Sequence, residues 1–67
     1  MRVKVNGQAR QFDSPKTVKQ ILDELNVPQD AGIAVALNGT VVGRDRYATT
    51  YVEDGDALEI IHATAGG

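Results

Sequence analysis

The opening residues Met1-Arg2-Val3-Lys4-Val5 alternate apolar and basic, the two-residue period of a half-buried strand. Asn6-Gly7 follows at once. Both residues tolerate positive φ, so the pair predicts a two-residue type I′ hairpin turn. Gln8 to Phe12 is the returning strand, with Met1 opposite Phe12 and on the same face as Val3 and Val5. That register also turns Gln8 and Arg10 inward, so either they lie near a sheet edge or a bulge shifts the pairing. Ser14-Pro15-Lys16 interrupts the strand. Thr17 is placed as an N-cap, and Gln20 three residues later completes a capping box. Val18, Ile21, Leu22 and Leu25 recur at helical spacing, with Lys19, Gln20, Asp23 and Glu24 on the opposite side. Pro28 disfavours helical geometry at Val27, so the helix should end near Asn26.

Asp30-Ala31-Gly32 reads as a loop and Ile33 to Leu37 as a third strand. Asn38-Gly39 is a second hairpin signal, with Thr40 to Val42 as its short return. Residues 43–53 show no period, although Arg44-Asp45-Arg46-Tyr47 could form one helical turn. Asp54-Gly55-Asp56 is a turn, Ala57 to Ala63 the last strand, and 64–67 a tail. The order strand, strand, helix, strand, short strand, strand predicts an α+β chain of the β-grasp arrangement. A mixed sheet of four to five strands carries one main helix on one face, with first and last strands side by side in parallel. One domain over 1–63 is expected, with a flexible tail over 64–67. Parity assigns Met1, Val3, Val5, Phe12, Ile33, Val35, Leu37, Val42, Leu58 and Ile60 to a core against Val18, Ile21, Leu22 and Leu25.

Composition narrows the chemistry. Sixty-seven residues allow one domain, and the chain has no cysteine and one histidine. Disulfides, thiol nucleophiles and thiolate metal sites are thereby excluded. Seven basic residues are interspersed with nine acidic ones. No basic stripe suggests nucleic acid as a partner. The longest apolar run, Ile33 to Leu37, is too short to span a bilayer. The N-terminus also lacks the apolar stretch of a signal peptide. A cytoplasmic protein, a monomer when free, is the expectation.

Catalysis finds little support. Ser14 and His62 are the sole serine and histidine, and they read as a turn residue and a surface residue, not as part of a triad. Asp54 and Asp56 around Gly55 have the character of turn formers. Asp45 between Arg44 and Arg46 reads as a solvated cluster, and no phosphate-binding loop is present. Two other features remain. First, the sequence closes on Gly66-Gly67. At a typical glycine usage of about 7 %, that pair is on the order of a 1-in-200 coincidence. A terminal glycine carboxylate has no side chain to obstruct attack, and Gly66 adds backbone freedom. Second, apolar residues occur at outward parity. Ala34 and Ala36 alternate with Val35 and Leu37, Ile61 and Ala63 follow Ile60, and Val41 pairs with Ala36 across the hairpin. Gathered on the open side of the sheet, they would form a surface for a partner.

These residues carry a resemblance. Val35-Ala36-Leu37-Asn38-Gly39-Thr40-Val41-Val42, Arg44-Asp45-Arg46-Tyr47, Asp54-Gly55-Asp56 and the final Gly66-Gly67 stand in the order seen in one family. So do Val5-Asn6-Gly7 and the Thr17-Val18…Leu22…Leu25 helix. Over essentially its whole length the chain resembles the ThiS family, the ubiquitin-like β-grasp sulfur carriers of thiamine biosynthesis. Gly43 departs from the family, whose members often have proline there, and this would loosen a loop. The resemblance implies a carrier and not an enzyme. A ThiF-type, E1-like adenylyltransferase would adenylate the Gly67 carboxylate. Sulfur from a persulfide donor enzyme would displace AMP, and the Gly67 thiocarboxylate would supply a ThiG-type thiazole synthase. ATP and magnesium would belong to the activating partner, this chain holding no cofactor. Ala34, Ala36, Val41, Ile61, Ala63 and Ala65 would offer the docking face. Rival readings are the small subunit of molybdopterin synthase, a carrier for tRNA thiolation, a ubiquitin-like modifier joined to lysine, and a β-grasp binding module with an inert tail.

Overall fold

Two asparagine-glycine turns organise the sheet. In a computed structural model, which describes residues 1–30 and 32–62, β1 (Arg2–Val5) folds back through Asn6-Gly7 onto β2 (Gln8–Gln11). Later β4 (Ile33–Leu37) folds back through Asn38-Gly39 onto β5 (Thr40–Val42). Asn6 and Asn38 both have φ 51°, with their glycines at 83° and 84°, the two positive angles a type I′ turn requires. Between the two hairpins runs the last strand, which we label β7 (Ala57–His62). It pairs parallel with β1 and antiparallel with β4, giving a five-stranded mixed sheet in the order β2-β1-β7-β4-β5. With one α-helix on one face this is the expected β-grasp fold.

The first hairpin keeps the expected register without a bulge. Val3 lies opposite Arg10 and Val5 opposite Gln8. Met1 and Phe12 exchange two hydrogen bonds of 2.8 Å. Because β2 is an edge strand, Gln8 and Arg10 stay exposed although they face the helix side.

Helix α1 (Val18–Glu24) begins at the expected capping box. The Thr17 hydroxyl accepts from the Gln20 amide at 3.2 Å, and the Gln20 carboxamide accepts from the Thr17 amide at 2.8 Å. Its end is set more locally than Pro28 implies. Asn26 takes φ 58°, the Asn26 amide donates to the Asp23 carbonyl, and the Val27 amide donates to the Leu22 carbonyl. This is a Schellman motif with asparagine at the left-handed position.

The stretch 43–53 is more ordered than its lack of period suggests. Arg44–Arg46 forms the helical turn, of 3-10 type. Two short strands, β3 (Lys16–Thr17) and β6 (Tyr51–Val52), make a second small sheet that the sequence reading missed. The segment also serves the helix. The Val18 amide donates to the Thr50 carbonyl and the Lys19 amide to the Tyr47 carbonyl, both at 2.9 Å. First-turn donors without partners inside the helix are thereby satisfied.

The core holds Val3, Val5, Phe12, Val18, Ile21, Leu22, Val35, Tyr47, Val52, Leu58 and Ile60, none more than 7 % exposed. Tyr47 and Val52 are additions to the core read by parity. Met1, Leu25, Ile33, Leu37 and Val42 pack against it only half-buried, as does Val27. Gly43 has φ −65° and ψ 147°, ordinary extended geometry, so its backbone makes no use of glycine's extra freedom.

Candidate functional site: the open face of the sheet

Strand parity divides each sheet strand between two environments. On β7, Leu58 and Ile60 enter the core, while Glu59 and Ile61 are exposed. On β4, Val35 is buried and Ala34 is exposed. The register then assembles the outward set. Ala34 lies opposite Ile61, and Ala36 lies between Glu59 on one side and Val41 on the other. Val41 is 75 % exposed and Ile61 58 %, two of only three large apolar side chains so open among the described residues. The structure thus brings Ala34, Ala36, Val41 and Ile61 together on the side away from the helix. Ala63, Ala65, Gly66 and Gly67, the remaining residues singled out in the sequence, lie outside the described residues.

Three further residues share this face. Arg2 and Lys4 alternate with the buried Val3 and Val5 and so face outward, and the register places Lys4 opposite Ala57 of β7. With Glu59 they give the face one apolar half and one charged half. The signal was available in the alternation of Met1 to Val5, which locates the outward side chains as well as the strand.

Asp54 and Asp56 build the turn that starts β7. Asp54 accepts the Arg2 amide at 2.7 Å. Asp56 accepts the Glu53 amide at 2.8 Å and the Asn38 carboxamide N–H at 3.0 Å. Gly55 has φ 90°, which a residue with a side chain rarely takes. Both carboxylates are occupied with the backbone and its neighbours, as turn formers. Ser14 and His62 are both exposed, on different parts of the chain. Arg44, Asp45 and Arg46 are exposed as well. Among the described residues, no three His, Cys, Asp or Glu side chains gather as a metal site would need. No described helix is long and apolar enough to cross a membrane. Asp23 on α1 is held below its ordinary pKa chiefly by the hydrogen bond from Lys19 and further by one from Gln29, against partial desolvation. The face is thus a preformed apolar platform beside the strand that leads to residue 63. It is suited to non-covalent docking.

Comparison with known proteins places this fold among relatives. The family described as ThiS matches residues 3–67. The chain is 37 % identical to the sulfur carrier protein ThiS of Escherichia coli over 67 residues, which span 100 % of both proteins. It is 39 % identical over 67 residues to a thiazole synthase of Paramagnetospirillum magneticum, of which it spans only 20 %. A crystal structure of a thiamine biosynthesis protein, ThiS from Geobacter metallireducens, superposes with a TM-score of 0.86 at 36 % identity, covering 100 % of each chain. A solution structure of a Geobacter metallireducens thiamine biosynthesis protein superposes at 0.81 with the same identity, covering 100 % of this chain and 88 % of the other.

Proposed function

The chain belongs to the ThiS family, a family of small protein carriers and not of catalysts, and we propose that it carries sulfur for thiamine biosynthesis on the carboxylate of Gly67. The observation that carries this reading is the alignment with the E. coli sulfur carrier through residue 67, on a fold whose central strand leads toward that residue. In the proposed cycle an E1-like, ThiF-type enzyme docks the open sheet face. A Gly67 carboxylate oxygen attacks the α-phosphate of ATP, pyrophosphate leaves, and an acyl adenylate forms. The terminal sulfur of a persulfide donor then attacks the acyl carbon and AMP leaves. A thiol cleaves the resulting S–S bond, releasing the Gly67 thiocarboxylate. ATP and magnesium are proposed to reside on the activating enzyme.

A ThiG-type thiazole synthase is the proposed acceptor. It is supported by the thiazole synthase whose sequence includes a segment 39 % identical to this chain. The same matches favour this route over molybdopterin synthesis, tRNA thiolation or conjugation to lysine. Ala34, Ala36, Val41 and Ile61, with Ala63 and Ala65, are the proposed contact residues, and Gly66 the clearance beside the reactive carbonyl.

Intact-mass spectrometry after incubation with the activating enzyme, ATP and a persulfide donor tests the chemistry. One oxygen should be replaced by one sulfur. Deleting Gly67, or appending one residue after it, should abolish the change while leaving the fold intact. Normal loading of the shortened chain would sink the assignment, and a much larger adduct on lysine would point to a modifier.

A further inference from the structure

The two asparagine-glycine turns do more than reverse the chain. Each asparagine also bonds through its side chain to β7, and they do so at opposite ends. Asn38 Oδ1 accepts the Ala57 amide at 2.9 Å, at the start of the strand. Asn6 Oδ1 accepts the Ile60 amide at 2.8 Å, near its finish. The Asn6 bond has a particular place in the ladder. Along the parallel pair β1–β7 the Lys4 amide donates to the Asp56 carbonyl and the Asn6 amide to the Leu58 carbonyl. The next rung of such a ladder would run from the Ile60 amide to the Asn6 main-chain carbonyl. Asn6 has already turned to φ 51° for the hairpin, and its side-chain oxygen takes that carbonyl's place. Asparagine alone among the common turn formers supplies both the left-handed backbone and a neutral amide oxygen at this reach.

Ile60 is also where the two functions of β7 separate. Its own side chain is buried at 7 % exposure, and the next residue, Ile61, stands on the open face. Beyond Ile60, β7 keeps its partner on the β4 side, through Ala34 with Ile61 and Ile33 with His62. On the β1 side the pairing register ends at Leu58, so the Asn6 side chain is the last support described there.

We infer that Asn6 is a positioning residue for sulfur loading: its side-chain oxygen, bonded to the Ile60 amide, fixes the direction in which β7 delivers the chain end to the activating enzyme. The inference rests on the proposed carrier chemistry. Without this bond the outer residues of β7 separate more often from the sheet, and a docked chain presents its end in the reactive geometry less of the time. Loss falls on the turnover of a bound carrier and not on docking.

The test compares Asn6→Gly with Asn38→Gly. Glycine keeps positive φ without strain at both turns, so each variant removes chiefly a side-chain clamp. Amide exchange at Ile60 should quicken roughly two- to twelvefold in Asn6→Gly, the factor for one net hydrogen bond. With the activating enzyme, ATP and a persulfide donor, kcat for loading should fall measurably at unchanged KM for the carrier. Asn6→Asp, which keeps an acceptor oxygen, should recover most of the rate. Asn38→Gly should quicken exchange at Ala57 and leave kcat unchanged. An Asn6→Gly chain that loads at the wild-type rate would overturn the role of Asn6. So would equal losses in Asn6→Gly and Asn38→Gly, which would show general destabilisation. A wild-type chain that accepts no sulfur overturns the carrier chemistry, and this inference with it.

Discussion

The two faces of the five-stranded sheet are made by the same strands yet differ in what they ask of their residues. On the helix side, Val3, Val5, Val35, Leu58 and Ile60 are each no more than 7 % exposed and interlock with Val18, Ile21 and Leu22. On the open side, Ala34, Ala36, Val41 and Ile61 are as apolar but have no layer over them. Shape is decisive on the first face, because a void there has no partner to fill it. On the second, a side chain can change with little effect on the fold, and its consequence appears in association. Burial, and not hydrophobicity, separates stability from recognition here.

Substitutions on each face sharpen the contrast. Leu22→Ala and Leu58→Ala, both at fully buried positions, should each cost about 2–5 kcal/mol in chemical denaturation through cavity formation. A loss well under 1 kcal/mol would show that the core relaxes around the change. Ile61→Glu, three residues along the same strand as Leu58, should alter stability by less than about 0.5 kcal/mol. It should weaken binding to the activating enzyme roughly tenfold or more by calorimetry, since it puts a charge at the centre of an apolar contact. Unchanged affinity would move the docking surface elsewhere.

Smaller effects are expected where neither face is involved. Gly43→Pro should stabilise the chain by about 0.4–1 kcal/mol, because the existing φ of −65° suits proline and the unfolded chain loses freedom. The one close approach, 2.8 Å from an added Cβ to Asp45 Oδ1, is to an exposed side chain that can rotate away. A lower melting temperature would show that Asp45 cannot yield. The smallest effect belongs to Asp23. Its pKa is depressed, so the contribution of its contacts is complete above the ordinary carboxylate value and is lost only as pH falls through the lowered one. An NMR titration should place its midpoint below that of a free aspartate, and Lys19→Met should raise it. No movement in the variant would leave the Lys19 bond without influence.

Local signals account for most of what could be read in advance. The capping box, the two Asn-Gly turns and the alternating strands each lie within a few residues, and each appears as expected. What escaped depends on distant partners. Lys16–Thr17 and Tyr51–Val52 are too short to show a period, and they become strands only by pairing with each other. Tyr47 and Val52 are buried because their segment closes the start of the helix through the Tyr47 and Thr50 carbonyls. The side-chain work of Asn6 and Asn38 was invisible for the same reason, their acceptors meeting amides 54 and 19 residues away. On the open face, parity places Ala34, Ala36, Val41 and Ile61 where the structure has them, and the same alternation turns Arg2, Lys4 and Glu59 outward beside them.

The place of β7 also bears on how the protein is made. Of the described strands, the one translated last sits in the middle, with β1 on one side and β4 on the other. Contacts so distant along the chain favour slow closure over early local assembly. A nascent chain that has not yet reached Ala57 has two hairpins but nothing to join them into one sheet. The five-stranded sheet can therefore close only after Ala57–His62 has been made. A chain that stops short of Ala57 would lack Ile61, and with it the apolar pairing with Ala34 on the open face.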